Sequence, residues 1–209
     1  MGQKVNPISM RLQVSKDWRS KWFAGKKDYA SYLKQDLTAR KLIDEKLGSR
    51  AAINKVDIER SPNLVTITVQ TAKAGVVIGR GGTGATELKD EIEKIYGVPV
   101  RVNIEEIKRA ELQAKLVAEN IAHQLEKRIA FRRAMKQAAA SAMRAGAKGV
   151  RIEVAGRLGG NEMSRREKET QGSVPLTTLR ADVDFANAKA LYPGAGIIGV
   201  KVWIYRGEV

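Results

Sequence analysis

The residues of this 209-residue chain best suited to chemistry are a run of glycines and a run of cations. Gly79-Arg80-Gly81-Gly82-Thr83-Gly84 follows the apolar Val76-Val77-Ile78 and precedes a helical pattern. Glycines let backbone N–H groups approach phosphate oxygens closely, and a helix N-terminus adds partial positive charge. Two patterns overlap in this stretch. Gly79, Gly81 and Gly84 form G-x-G-x-x-G, which cradles a dinucleotide pyrophosphate when it joins a strand to a helix and is followed by an acid such as Glu105. Gly79, Arg80, Gly81 and Gly82 form G-x-x-G, which joins a short helix to a longer one and clamps about four nucleotides of a single strand. A tight turn without a ligand is the third reading. A P-loop is excluded, because no Gly-Lys-Ser/Thr follows.

The cations are densest between Lys127 and Ile152. Lys127, Arg128, Arg132, Arg133, Lys136, Arg144, Lys148 and Arg151 lie there with no Asp or Glu among them. Arg128, Arg132 and Lys136 recur every four residues, so one helix would carry them as a stripe, with Phe131, Met135 and Ala138 on its buried side. Like charges so spaced repel by a few tenths of a kcal/mol per pair, a cost that an anion lying along the stripe would remove. Such a surface grips phosphates and ignores base identity. Arg157, Arg165, Arg166 and Lys168 read as a second RNA contact zone, in a polar loop running through Gly159-Gly160 to Gly172. Near the N-terminus, Lys4, Arg11 and further cations alternate with Trp18, Trp22 and Phe23 without a clean period. Cations interleaved with aromatics suit RNA, and they equally suit an arm docked on the body of the protein.

Composition narrows the classes. Lys and Arg number 38 against 23 Asp and Glu, a net charge of +15, while 43% of residues are hydrophobic. The excess charge therefore sits on a folded surface, and a basic folded surface attracts polyanions, nucleic acid first among them. There is no Cys, which removes disulfides and thiol chemistry, and the single His, His123, rules out a multi-histidine metal site. No compact carboxylate cluster has metal-ligand character. No catalytic residue, metal or cofactor is expected. No stretch is long and apolar enough for a membrane span and no leader is recognised, so a cytoplasmic protein is expected.

The hydrophobic pattern places these groups on elements. Tyr32, Leu33, Leu37, Leu42, Ile43 and Leu47 have helical spacing, with Gly48 as a stop. Strands follow at 53–58 and 65–69, then the glycine loop, a helix over about 86–95 and a strand over 98–104. Ala114, Val117, Ile121 and Leu125 mark one further helix, and Phe131, Met135, Ala138, Ala142 and Met143 another. Strand candidates at 150–154, 179–185 and 198–205 complete the chain. The expected fold is α+β: a basic arm over 1–19, a first domain over 20–107, and a second small domain over 108–209 with two helices on a mostly antiparallel sheet.

This order resembles the type II KH domain, whose core motif Val77-Ile78-Gly79-Arg80-Gly81-Gly82 matches. Gly2-Gln3-Lys4-Val5-Asn6-Pro7, the run Gln124 to Lys136, Gly156-Arg157-Leu158-Gly159-Gly160, Val174 to Asp182 and Ile198 to Trp203 are similar to one family, the third protein of the bacterial small ribosomal subunit. The resemblance implies a non-enzymatic constituent of the subunit head. It would bind ribosomal RNA, contact the tenth and fourteenth small-subunit ribosomal proteins, and line the messenger RNA entry channel with Arg132, Arg133 and Lys136, beside Arg128. There it would aid passive unwinding of structured message. Lys4, Arg11, Trp22, Arg157, Arg165, Arg166 and Lys168 are then candidate ribosomal RNA contacts. The chain departs from the family at Thr177, at Ala195 and in the absence of aromatics over Ser164 to Lys168, and it ends at Val209 without the basic extension of some relatives. The competing functions are a free-standing KH regulator of single-stranded RNA and a nicotinamide or flavin enzyme built on the glycine loop.

Overall fold

The computed structural model describes residues 4–194 and 196–209, so Gly2, Gln3 and Ala195 lie outside the described residues. Among these residues six α-helices and eight strands follow in the order α1 (Pro7–Met10), β1 (Ser20–Lys21), α2 (Tyr29–Leu47), β2 (Ile53–Arg60), β3 (Val65–Thr71), α3 (Ala74–Ile78), α4 (Thr83–Tyr96), β4 (Val100–Glu106), α5 (Ala114–Glu126), α6 (Phe131–Arg144), β5 (Gly149–Gly156), β6 (Arg165–Gly172), β7 (Ala181–Tyr192) and β8 (Gly196–Glu208). The chain divides into two compact units, one of Trp18–Lys108 and one joining the segment before residue 18 to Arg109–Val209.

In the Trp18–Lys108 unit the sheet order is β1-β2-β3-β4. The β2–β3 pair is antiparallel, with Ile58 opposite Ile67, and β3–β4 is parallel. Alternation sends Val56, Ile58, Val65, Ile67, Val69 and Val100 to one face, where Ala39, Ile43, Val77, Leu88, Ile92 and Tyr96 cover them. The succession α2-β2-β3-α3-α4-β4 is the type II KH arrangement. The helix expected up to Gly48 forms as α2, yet Leu33 and Leu37 are 40% and 52% exposed, while Asp36 is buried. The helix turns a carboxylate inward because Trp22, Arg60 and Tyr96 all donate to it, and apolar spacing cannot reveal such a face.

In the other unit, β6-β5-β8-β7 form an antiparallel sheet. Helices α5 and α6 cover one face, packing Val117, Ile121, Leu125, Met135, Ala139 and Ala142 on Val150, Ile152, Val154, Val200, Val202 and Ile204. Residues 4–17 belong to this unit. Two expectations are corrected here. Residues 165–172 are not loop but the edge strand β6, whose Arg-Arg-Glu-Lys-Glu-Thr-Gln sequence has no apolar face, though Glu167, Glu169 and Gln171 are half-buried on one side. The strand expected over 179–185 runs instead over Ala181–Tyr192, and its partner over Gly196–Glu208. The β5–β6 pair closes at Gly149 and Gly172, where a Cβ on Gly149 would collide with the carbonyl of Ser173.

Candidate nucleic-acid interface

The glycine loop joins α3 to α4, helix to helix, as G-x-x-G requires and a dinucleotide fingerprint does not. Gly79, Gly81 and Gly82 have φ of +72°, +62° and +83°, a region in which a Cβ is disfavoured. Their surroundings separate their roles. A Cβ on Gly81 or Gly82 would meet nothing within 4 Å, so this part of the loop is open to a ligand. A Cβ on Gly79 would lie 3.0 Å from the Gly84 nitrogen, and one on Gly84 would lie 2.9 Å from the Val77 carbonyl oxygen. Gly84 therefore lets α3 and α4 touch, and the G-x-G-x-x-G spacing is a matter of packing. Arg80 is exposed at the loop tip. Glu105, the acid of the rival enzyme reading, sits on β4 and accepts from Gln70 Nε2 at 2.8 Å.

On α6, Ala134, Met135, Ala139 and Ala142 are buried, and Arg132, Arg133 and Lys136 are exposed. Arg133 and Lys136 have no ion-pair partner among the described residues. The stripe differs from expectation at its start. Arg128 lies before the helix, in the connection after α5, with φ +60°, so its four-residue spacing to Arg132 does not put it on the same helical face. A second difference is an acid supplied from outside the run. Glu167 on β6 accepts from Arg132 Nε at 3.2 Å and Nη2 at 3.3 Å, and pairs with Arg165 Nε at 3.2 Å. The hydrogen bond from Arg132, with its charge and that of Arg165, holds the Glu167 carboxyl below the usual carboxylate range, and the same contact raises the Arg132 guanidinium.

The register of β6 divides the second cation cluster between two faces. Glu167 stands opposite Val154 and Arg165 opposite Gly156, on the α6 side, whereas Arg166 and Lys168 stand opposite Ala155 and Glu153 on the other. There Glu153, only 6% exposed, is held between Arg166 at 3.0 Å and Arg151 at 3.3 Å. Sequence reasoning missed Glu167 altogether. The available signal was the alternating sign of Arg166-Glu167-Lys168-Glu169, which marks a strand with two unlike faces.

The remaining candidates fall into two groups. Arg11 is fully buried and donates to the carbonyls of Pro7, Pro175, Leu176, Thr178 and Ala181; it holds the fold and has no face for RNA, which corrects its place among the RNA contacts. Trp22 also serves the fold, donating to Asp36 at 2.8 Å and meeting the rings of Tyr29 and Tyr32. Lys4 is exposed, with Nζ 5.8 Å from the Trp203 ring centre. Arg157 donates to the Asn161 carbonyl at 2.9 Å. His123 pairs with Glu126 on the exposed side of α5 at 3.0 Å. Among the described residues no three acidic or histidine side chains group as metal ligands, and no helix is long and apolar enough to cross a membrane.

A type II KH domain in one chain with an α+β unit that carries a cation-faced helix defines the class: an RNA-binding protein of the KH type. Comparison with known proteins narrows it. The KH domain family matches residues 39–112, and the family described as ribosomal protein S3, C-terminal domain matches residues 121–204. Small ribosomal subunit protein uS3 of Shouchella clausii is 54% identical over 209 residues, covering 100% of this chain and 94% of the relative. The uS3 proteins of Desulforudis audaxviator and Legionella pneumophila are 56% and 55% identical over 211 residues, with 100% of this chain and 95% and 94% of theirs covered. The chain belongs to the uS3 family of small ribosomal subunit proteins, a family of structural and non-enzymatic proteins.

Proposed function

We propose that this chain is a structural constituent of the small ribosomal subunit head in the cytoplasm, bound to ribosomal RNA, and that the exposed face of α6 lines the messenger RNA entry channel. The observation that carries the channel reading is the arrangement of α6 itself. Three cations, Arg132, Arg133 and Lys136, stand exposed on a helix whose opposite face is locked into the core, so their charge is held on a rigid element and not on a loop. Phosphate contacts of this kind carry no sequence information, which suits a surface that must pass any message. Holding separated strands lowers the free energy of the open state, so structured message is unwound passively as translocation draws it in. Arg128 adds charge beside the helix start. Arg166 and Lys168 on the outer side of β6, with Lys4, Arg157 and the open Gly79-Arg80-Gly81-Gly82 loop, are the proposed ribosomal RNA contacts, and the tenth and fourteenth small-subunit proteins are the proposed protein neighbours.

Ribosomes carrying Arg132→Ala with Arg133→Ala are expected to assemble normally, translate unstructured message at the parental rate and slow on stable hairpins. Equal rates through hairpins in variant and parent would refute the channel reading.

A further inference from the structure

Arg132 and Arg165 reach the same carboxylate from two different elements. Arg132 comes from the first turn of α6, Arg165 from the edge strand β6, and Glu167 stands between them with contacts of 3.2–3.3 Å. Both guanidiniums also flank one ring, with their central carbons 5.7 Å and 5.6 Å from the centre of Phe131. Phe131 is fixed because it packs on the core beneath α5 and α6. We propose that Arg132, Arg165 and Phe131 form an oxyanion seat for one RNA backbone phosphate, and that Glu167 is its resident competitor, displaced when RNA binds. The proposal rests on the reading of α6 as an RNA-gripping helix.

Carboxylate and phosphate engage the same edges of a guanidinium through paired N–H···O bonds. The seat is open to a phosphate, since the Arg132 side chain is 70% exposed, that of Arg165 45% and that of Glu167 25%. Two cations and one anion leave this cluster net positive, so an approaching phosphodiester is attracted. The aromatic ring keeps both guanidiniums near the seat once the carboxylate leaves. Exchanging one oxyanion for another gains less than filling an empty site, so RNA binds here weakly and leaves quickly, as a moving strand requires. Arg133 and Lys136, which have no acid partner among the described residues, bind without such an exchange.

The test measures binding of a short fluorescein-labelled oligouridylate to the full-length chain, by anisotropy over a range of salt and by stopped-flow release. Glu167→Gln keeps the shape of the side chain and removes its charge. It is expected to tighten binding roughly threefold or more at low salt and to slow release, since the phosphate no longer has a carboxylate to displace. Glu169→Gln, the same charge change two residues along the same strand face, is expected to give a clearly smaller gain, and Arg165→Gln is expected to abolish the gain from Glu167→Gln. Glu167→Thr, which suits a strand, repeats the test should the amide disturb β6. Unchanged or weaker binding by both Glu167 variants, or an equal gain from Glu169→Gln, overturns the seat. If Arg132→Ala with Arg133→Ala leaves affinity unchanged, it is the α6 reading that fails; if that pair weakens binding while the Glu167 variants do not tighten it, the seat alone fails.

Discussion

The Nε of Arg11 donates to the carbonyl oxygen of Ala181 at 2.7 Å, joining two residues 170 positions apart in the chain. The other two nitrogens of the guanidinium continue the pattern, reaching Pro7 at 3.0 Å, Thr178 at 2.8 Å, Leu176 at 3.1 Å and Pro175 at 3.2 Å. A planar fork of five donors thus serves the backbone of a segment that has few partners of its own before β7 begins. No other side chain can replace it, since Lys offers three donors around a single point. Arg11→Ala is expected to lower unfolding stability by about 3 kcal/mol, because two buried and three part-buried carbonyls lose a charged donor together. Arg11→Lys is expected to recover only part of this. Denaturant unfolding followed by circular dichroism measures the loss, and hydrogen exchange is expected to quicken over residues 174–183. An unchanged midpoint would show that the contact contributes nothing.

Arg11 also shows what could and could not be read from the sequence. The KH order was legible because Val56, Ile58, Val65, Ile67 and Val69 alternate and glycines punctuate the helices, all of which are local signals. The apolar stripe of α5 was legible for the same reason, and on α6 the same signal found the buried Met135 and Ala142 but not Ala134 and Ala139. Polar groups that face inward were not. Arg11 read as an RNA contact and Asp36 gave no signal at all, since burial of a charge depends on donors and acceptors brought from far along the chain. The strand β6 was missed because an edge strand with charges on both faces has no hydrophobic period, and its loss as an element hid the meeting of Glu167 with Arg132. Arg157, Arg165, Arg166 and Lys168 formed one cluster in the sequence, and the two-residue period of a strand separates Arg165 from Arg166 and Lys168.

Asp36 is the centre of a buried hydrogen-bond cluster in the Trp18–Lys108 unit. Its carboxylate is 3% exposed and accepts from Trp22 Nε1 at 2.8 Å, Tyr96 Oη at 3.0 Å and Arg60 Nη2 at 3.2 Å. Burial first, then the charge and hydrogen bond of Asp36, hold the Tyr96 hydroxyl well above the usual phenol range. A proton bound more tightly in the folded state stabilises fully below the unfolded value, near pH 10, and this contribution is lost as pH rises beyond it. Tyr96→Phe is expected to cost about 1–2 kcal/mol at neutral pH for the lost bond to a charged acceptor. The gap between parent and variant is expected to stay constant up to about pH 10 and then narrow, because only the parent loses the Tyr96 contribution. Denaturant midpoints taken from neutral to strongly alkaline pH test this, and a gap that widens above pH 10 would contradict it.

The glycine loop separates packing from binding in adjacent residues. Gly84→Ala places a methyl group 2.9 Å from the Val77 carbonyl oxygen and 3.2 Å from that of Ile78, both backbone atoms that cannot step aside alone. Helices α3 and α4 must then part, at an expected cost of about 1–3 kcal/mol, the range for overpacking a close contact. Arg80 is exposed at the tip of the same loop, where its carbonyl, unchanged by substitution, accepts from Thr83 Oγ1 at 3.0 Å. Arg80→Glu is expected to leave unfolding unchanged and to weaken binding of single-stranded RNA, because it sets a negative charge beside the open Gly81-Gly82 backbone where phosphate would lie. The comparison is cleanest where Arg132 and Arg133 are already Ala, so that the remaining affinity does not come from those two α6 arginines. Loss of affinity in Arg80→Glu with an unshifted unfolding midpoint establishes the loop as an RNA contact. Unchanged affinity would assign all four residues from Gly79 to Gly82 to the turn between two helices.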